Sequence, residues 1–269
     1  MKTFGYYYAR GKYGNYDHVD DFTNTDLLTP THFDRFTGFP ETDEVILARL
    51  KREAKRSLRK GRSITLGLDI KDGYPWRRVI SRVIKPFTSG ELAGKSCWDN
   101  VDLIDLSDEP SWNEGLQTSM ANEVRGEIES QNRDPFTKRL GAVFAYTAPV
   151  RKVSQALDWV GFEAYLAGPG TQYPSIAKAI RDQLKYQAGR IISSAHEVVI
   201  VLQSYDRNGN WTEAKKLREL QHETILASKE IFGDSVIGYL MFAYGRPGGV
   251  VKYPGLEVIH RQIWEEEIK

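Results

Sequence analysis

The sequence predicts an α/β protein, a single (β/α)8 barrel of the TIM type over residues 1–269 whose first βα unit is degenerate. Three observations support this fold. Eight short segments are rich in apolar and β-branched residues, as strands buried on both faces are. Segments with helical periodicity alternate with them, which favours a parallel sheet. Eight such strand–helix units need roughly 250 residues, and the chain has 269 without a linker or low-complexity tract.

Four of the predicted strands lie in the first half of the chain. The first is a short aromatic segment, and the third and fourth are apolar runs that end in acidic residues; the four cover 4–9, 18–22, 64–70 and 101–106. A polar loop is predicted after the second strand, through Thr31. A helix is predicted over 42–60, because its apolar residues form one stripe and Gly61 can end it. Residues 71–100 are predicted to form a loop or a helix.

The connection between the first two strands departs from the barrel pattern. Only residues 10–17 join them, whereas parallel strands usually need a dozen or more connecting residues. We therefore predict that the first unit is degenerate. An open doubly wound sheet is the alternative fold.

The second half of the chain contains the other four strands, predicted over 140–146, 159–165, 198–203 and 236–244. The remaining helices are predicted over 115–130, 150–157, 175–191, 212–232 and 256–268. Ile176, Ile180 and Leu184 recur every four residues, as expected for one face of a helix, and Thr212 has the side chain of an N-cap. The strand over 198–203 is almost continuously apolar, which is typical of burial on both faces.

Composition argues against several classes of function. The formal net charge is +1, from 37 basic and 36 acidic side chains, so electrostatics give no reason to expect a nucleic-acid or membrane partner. Cys97 is the single cysteine, and the five histidines show no ligand spacing. This argues against a disulfide framework, a cysteine-based zinc site and other transition-metal centres. The glycine-containing loops match no nucleotide fingerprint, and we predict no metal and no cofactor.

Hydropathy bears on where the protein is found. The first ten residues lack the apolar core of a signal peptide. No run of about 18 apolar residues is present to span a membrane. We therefore expect cytoplasmic synthesis without membrane insertion, with release by lysis or association with a phage left open. The sequence does not determine the oligomeric state.

Acidic and aromatic residues gather at the predicted C-terminal ends of the strands. In (β/α)8 barrels this end carries the active site. The plainer interpretation of most of the rings is core packing, since aromatic residues dominate core burial. As substrate-binding residues we predict Tyr7, Asp69, Trp76, Trp112, Tyr146, Tyr165, Gln203, Tyr205, Tyr244 and Arg246.

The most informative segment is Asp108-Glu109-Pro110, which follows the fourth strand. Proline cannot donate to a strand ladder, so the strand should end here with both carboxylates facing the loops. Glycosidic cleavage needs a proton donor and a second group that stabilises or attacks the anomeric carbon. Glu109 is the candidate acid, because burial and the neighbouring charge of Asp108 favour the protonated form of a carboxyl group. The plainer alternatives are a helix cap for Asp108 and a solvated loop residue for Glu109.

Glu163 lies in an otherwise apolar strand, where a glutamate is costly unless it is paired or functional. Strand alternation places it with Tyr165 on one face and Phe162 on the other. Glu163 is therefore a candidate catalytic partner of Glu109. The alternative is a salt bridge within the barrel, for example to Arg246.

Two further polar residues end strands. Gln203 ends the seventh strand, where it can hydrogen-bond a hydroxyl group but cannot act as a nucleophile. Its plainer interpretation is a polar strand end. Asp69, near the end of the third strand, is a candidate for binding sugar directly or for supporting the site from behind.

These pieces resemble the (β/α)8 glycoside hydrolases. The resemblance is carried by Ser107-Asp108-Glu109-Pro110 after strand four, by 159–165 on strand six and by 201–205 on strand seven. It implies a barrel whose rim cleaves glycosidic bonds. In the retaining enzymes whose strand four ends in Asn-Glu-Pro, the Glu is the acid/base and a Glu on strand seven is the nucleophile. Here Asp108 replaces the Asn and Gln203 stands at the nucleophile position.

The resemblance also implies a second mechanism. Hexosaminidase-like enzymes end strand four with adjacent Asp and Glu: the Asp orients the substrate's 2-acetamido group, which attacks, and the Glu is the acid. Asp108 and Glu109 match that pair, and Tyr165 would help to hold the acetamido oxygen. A third arrangement pairs Glu109 with Glu163 across the cleft, with the carboxyl separation deciding between retention and inversion.

The sequence thus predicts a glycoside hydrolase that cleaves a poly- or oligosaccharide. Glu109 is the predicted general acid, and Asp108 or Glu163 is its partner. The alternative function is a non-catalytic glycan-binding or structural barrel, for example in a phage or cell-surface assembly, which the glutamine at position 203 favours. A barrel lyase or aldolase is a minor alternative, for which Lys71 is the nearest lysine.

Overall fold

Eight parallel strands form the centre of the computed structural model, which describes residues 2–7, 23–28, 43–68, 70, 76–89, 96–108, 113–144, 152–166, 175–189, 196–203, 214–242 and 254–269. The strands are β1 (Thr3–Tyr7), β2 (Thr25–Leu28), β3 (Ser63–Gly67), β4 (Val101–Asp108), β5 (Arg139–Phe144), β6 (Trp159–Ala164), β7 (Glu197–Gln203) and β8 (Val236–Phe242). The spatial order is β1-β8-β7-β6-β5-β4-β3-β2, so consecutive strands are neighbours and the sheet curls into a nearly closed barrel. The predicted (β/α)8 barrel is confirmed. A doubly wound sheet would instead reverse its strand order at a switch point.

Helices alternate with these strands along the chain. They are α1 (Asp43–Arg59), α2 (Trp76–Ser89), α3 (Ser96–Asp99), α4 (Glu114–Ser130), α5 (Ile176–Ala188), α6 (Ala214–Phe232) and α7 (Pro254–Ile263), with a π-helical turn (Trp264–Ile268) at the end. Side-chain caps begin two of them: Asn113 Oδ1 accepts from the Leu116 amide at 2.9 Å, and Ser175 Oγ accepts from the Lys178 amide at 3.0 Å. No helix in the described part of the chain is long and apolar enough to cross a membrane.

The seam between β1 and β2 is bridged by an asparagine. The backbone amide of Asn24 donates to the Phe4 carbonyl at 2.8 Å, and the side-chain oxygen Asn24 Oδ1 accepts from the backbone amide of Phe4 at 2.8 Å. Asn24 Nδ2 also donates to the carbonyl of Lys2 at 2.8 Å. The side-chain amide therefore takes the place of a peptide group beside β1. Gly5 allows the close approach, since a Cβ there would lie 2.7 Å from the Thr25 carbonyl oxygen.

Two apolar layers lie on either side of the strands. The interior of the barrel is a small cluster made of Leu103, Val143, Trp159, Val199, Val201 and Leu240. A larger layer fills the space between strands and helices, where Phe162 stacks on Phe232 with ring centroids 5.7 Å apart. Because side chains alternate along β6, Glu163 and Tyr165 lie on the same face of the strand as Trp159, which is the face toward the barrel interior.

Charged side chains occupy the N-terminal end of the barrel. Arg139 pairs with Asp102 on β4 at 2.5 Å and with Glu197 on β7 at 3.2 Å. Thr3 donates its hydroxyl to Asp102 Oδ2 at 3.2 Å. This network joins four strands at the end opposite the predicted site, where barrel residues serve stability rather than chemistry.

The second strand differs from the prediction. The predicted strand 18–22 lies outside the described residues, and β2 is formed by Thr25–Leu28, where we predicted a polar loop. That prediction was wrong because Asp26 looks like a loop residue in sequence. In the fold it is buried, paired with Arg62 at 2.8 Å and hydrogen-bonded by the Ser57 hydroxyl at 2.6 Å.

The short helix predicted over 150–157 is also corrected, because the described residues 152–157 turn without forming a helix. Their backbone groups bond to side chains instead: the Ser154 amide donates to Gln117 Oε1 at 2.9 Å, and Ser154 Oγ accepts from the Ala156 amide at 3.1 Å. Such local serine bonds compete with helix formation. The degenerate first unit stays a prediction because 8–22 lies outside the described residues, and so does the single-domain assignment of residues 1–269.

Candidate functional site at the C-terminal rim

The described residues include part of the predicted rim. Glu163, Tyr165 and Gln203 are described with their side chains, whereas only the backbone is described at Tyr7, Trp76 and Asp108. The other predicted site residues lie outside the described residues: Asp69, Glu109, Trp112, Tyr146, Tyr205, Tyr244 and Arg246. The described part of the site therefore lies at the ends of strands β4, β6 and β7.

β4 ends at Asp108 and contains a bulge just before its end. Asp105 pairs with Gly141 and Asp108 pairs with Val143, so three steps along β4 match two steps along β5. Bulges bend a strand, redirect its later side chains and are common beside active sites. Ser107, within the bulge, donates its hydroxyl to the Ile70 carbonyl at 2.5 Å and ties this strand end to the chain after β3.

Glu163 is buried near the end of β6 beside a tyrosine. The residue is 2 % exposed, and the Tyr165 hydroxyl donates to Glu163 Oε1 at 3.0 Å. Tyr165 also packs against the interior cluster of the barrel. A carboxylate and a phenol on this face can exchange a proton with, or hydrogen-bond, a hydroxyl group bound at the rim.

Gln203 joins the end of β7 to the chain after β6. Its Oε1 accepts a hydrogen bond from the Leu166 amide at 2.8 Å, and the residue is 3 % exposed. Leu166 directly follows Tyr165, so this bond holds the chain next to the acid–phenol pair. Substrate binding by Gln203 stays a prediction.

Three buried glutamines on the surrounding helices were missed by the sequence analysis. From α5, Gln187 donates to the Glu163 carbonyl at 2.6 Å and Gln183 donates to the Tyr165 carbonyl at 3.1 Å. From α6, Gln221 donates to the Gln203 carbonyl at 2.9 Å. The available signal was a polar residue on the apolar face of a predicted helix, where an amide must have a partner to be tolerated.

His260 on α7 is the last member of a buried series of hydrogen bonds that runs from the Gln203 carbonyl through the side chain of Gln221. Its Nε2 lies 2.8 Å from Gln221 Nε2, which can only donate, so the imidazole accepts and is neutral with its proton on Nδ1. Complete burial, together with the positive charge of Arg218, lowers the pKa of His260 from 6.5 to about 3. The neutral ring therefore belongs to the folded state over the whole physiological range.

This histidine predicts a pH-dependent stability. Between about pH 3 and 6.5 the unfolded chain protonates His260 and the folded chain does not, so stability falls as the pH decreases, by about 1.4 kcal/mol per pH unit. Urea unfolding from pH 7 to pH 4 measures this slope, and His260→Gln should make it shallower by that amount. Equal slopes for the two proteins would contradict the buried neutral histidine.

Metal and thiol chemistry find no support among the described residues. No group of three or more His, Cys, Asp or Glu side chains there is arranged to hold a metal ion. Cys97 is completely buried, and burial raises the pKa of its thiol to about 11. A thiol that stays protonated is a poor nucleophile and a poor metal ligand.

Comparison with known proteins gives structural neighbours but no sequence relative. No protein-family model matches the chain, and no curated protein matches it. The fold is similar to an exo-β-1,4-mannosidase from an Opitutaceae bacterium, with a TM-score of 0.62 at 14% identity over 100% of this chain and 60% of that one. It is also similar to an active-site mutant of a Rhizomucor miehei β-1,3-glucanosyltransferase in complex with laminaritriose, with a TM-score of 0.58 at 14% identity over 92% of each chain.

A third neighbour is much longer than this chain. A β-glucuronidase from an uncultured Clostridium matches with a TM-score of 0.59 at 14% identity, covering 99% of this chain and 50% of that one. The chain thus spans about half the length of this enzyme. At these identities the likeness shows the barrel fold alone, and the fold hosts many chemistries.

Proposed function

We propose that the chain is a glycan-active enzyme, a glycoside hydrolase with Glu109 as general acid and Asp108 or Glu163 as its partner. The observation that carries the proposal is Glu163, a carboxylate buried on the inner face of the barrel at the rim where strand β4 delivers Asp108. The C-terminal end of the strands is where (β/α)8 barrels carry their active sites, so this carboxyl group lies where a catalytic group is expected. Two barrels that it resembles are named as a β-glucuronidase and an exo-β-1,4-mannosidase, which supports a β-linked glycoside as the substrate class.

In the proposed reaction, Glu109 gives its proton to the glycosidic oxygen as the bond to the anomeric carbon breaks. With Asp108 as partner, the substrate's own acetamido oxygen attacks that carbon and water later opens the ring that forms. With Glu163 as partner, its carboxylate either attacks the carbon or removes a proton from the attacking water. Whether Glu163 acts as nucleophile or as base, the Tyr165 hydroxyl, 3.0 Å from Glu163 Oε1, stabilises the negative charge of its carboxylate.

A second candidate is a glycan-binding barrel without catalysis. Its supporting observation is Gln203, an amide where barrel glycosidases of the retaining type carry a nucleophilic carboxylate. The side chain of Gln203 is engaged by the Leu166 amide. A rim that only binds would need hydrogen-bonding groups and rings but no acid.

The two functions are separated by incubating the protein with a panel of β-linked oligosaccharides that includes 2-acetamido sugars. Shortened products identified by mass spectrometry are expected for the enzyme. Binding by calorimetry, with every oligosaccharide recovered intact, would overturn the proposed hydrolase and leave the binding barrel. If the protein neither cleaves nor binds any oligosaccharide of the panel, both proposed functions are rejected.

A further inference from the structure

Side chains from α5 and β7 hold the backbone of β6 around the point where its pairing with β7 ends. The last residue pair between β6 and β7 is Ala164 with Leu202. Past it, the Tyr165 carbonyl is bonded by Gln183 and the Leu166 amide by Gln203. Just before it, the Glu163 carbonyl is bonded by Gln187 at 2.6 Å. Side-chain amide groups therefore hold the carbonyls of both members of the acid–phenol pair and the backbone amide that follows them.

The spacing of the two α5 glutamines matches the spacing of their targets. Gln183 and Gln187 are one helical turn apart, about 6 Å along the axis. The carbonyls of Glu163 and Tyr165 are two strand residues apart, about 6.6 Å. Because α5 returns antiparallel to β6, the later glutamine meets the earlier carbonyl, and each donor meets one acceptor.

The burial of Gln183 and Gln187 indicates that the NH2 group, which donates a hydrogen bond, is the part of each side chain that matters. Gln187 is completely buried and Gln183 is 7 % exposed. The Oε1 atoms of both are buried with no hydrogen-bond partner among the described residues. An apolar side chain would fill the same space without an unsatisfied acceptor, but it would leave the strand carbonyl without a donor.

We propose that Gln183 and Gln187 are positioning residues that hold the Glu163–Tyr165 pair in its working geometry at the rim. This inference rests on the proposed function for its catalytic consequence. The glutamines touch neither substrate nor reacting atoms; they act by fixing the backbone from which the carboxylate and the phenol project. A catalytic group must be held to well within an ångström for full activity.

The test replaces each glutamine by the nearly isosteric methionine, which removes the donor and keeps the volume. On a glycan that the wild type cleaves, Gln187→Met should lower kcat at least tenfold and leave KM within threefold. The pH profile of kcat should also move, because the carboxylate loses its fixed surroundings. If Gln187→Met does not fold, Gln183→Met, at the less buried position, carries the same expectation.

The matched control is Gln117→Met. Gln117, in the first turn of α4, is as buried as Gln187, at 1 % exposure, but it bonds the Ser154 amide on the chain between β5 and β6 and not the backbone of the Glu163–Tyr165 pair. Gln117→Met should lower the melting temperature by a similar amount and leave kcat and its pH profile unchanged. Equal kinetic effects of Gln117→Met and Gln187→Met would overturn the positioning role.

A readout without turnover separates this inference from the proposed function. In NMR spectra the Tyr165 ring carbon that bears the hydroxyl should shift in Gln187→Met and stay in place in Gln117→Met. Exchange of the Leu166 amide should accelerate about tenfold in Gln187→Met relative to the Val199 amide in the barrel interior. If the wild type cleaves nothing but these signals move, the hydrolase assignment fails and the positioning holds. If they do not move, the positioning fails whatever the activity.

Discussion

Replacing Glu109 with glutamine is expected to lower kcat on a cleaved glycan by on the order of 10²–10⁴-fold, the usual contribution of a general acid. The amide keeps the shape of the side chain but has no acidic proton to give to the leaving oxygen. The melting temperature should change little, because the substitution keeps the volume of the side chain. A rate near that of the wild type would remove Glu109 from the mechanism.

The partner of Glu109 is identified by two further variants. If Asp108 orients a 2-acetamido group, Asp108→Asn should impair only the cleavage of 2-acetamido sugars. If Glu163 is the partner, Glu163→Gln should impair every substrate to a similar degree. Both losses should appear in kcat rather than KM, since these groups act on the transition state.

Glu197→Gln provides the matched control. Glu197 lies on β7 at the opposite end of the barrel, paired with Arg139 at 3.2 Å. Its substitution removes one carboxylate from the same sheet, and the cost is limited to a half-exposed ion pair of about 1 kcal/mol or less. Glu197→Gln should therefore leave kcat unchanged. A large loss of kcat in this variant would attribute the other losses to general damage of the barrel.

The barrel was predictable because its strands carry their pattern locally. β7 is almost continuously apolar, and β4 covers the predicted 101–106 and extends to Asp108, two residues before a proline. β2 was missed because the charge of Asp26 is satisfied by Arg62, a residue 36 positions later in sequence. A pattern that depends on a distant partner cannot be recognised in a short window of sequence.

The site was predictable only in part for the same reason. Alternation along β6 is a local property, and it correctly placed Glu163 and Tyr165 on one face of the strand. The bonds of Gln183, Gln187 and Gln221 join helices to strand ends 18 to 24 residues away. Such bonds depend on how a helix returns onto the sheet, which periodicity predicts in outline but not to the precision of a hydrogen bond.

The second large effect is expected at Gly141, where even a methyl group should disrupt the barrel. A Cβ on Gly141 would lie 2.2 Å from the Trp159 carbonyl oxygen and 2.3 Å from the nearest atom of its indole. These distances are far below a van der Waals contact of about 3.5–4.0 Å. Because β5 and β6 would have to separate, we expect Gly141→Ala to lower the free energy of unfolding by about 3 kcal/mol or more. Urea unfolding followed by circular dichroism measures the change.

Two other glycines show that the effect comes from the contact and not from the residue type. Nothing lies within 4 Å of a Cβ on Gly126, in the exposed middle of α4, so Gly126→Ala should stabilise the protein by up to about 1 kcal/mol. A Cβ on Gly161 would lie 2.6 Å from a methyl group of Val143, so Val143→Ala should partly rescue Gly161→Ala. No side-chain change can rescue Gly141→Ala in this way, because its shortest contact is a backbone oxygen of the neighbouring strand. A Gly141→Ala protein as stable as the wild type would mean that β5 and β6 can separate at little cost, contrary to the close packing of the barrel interior.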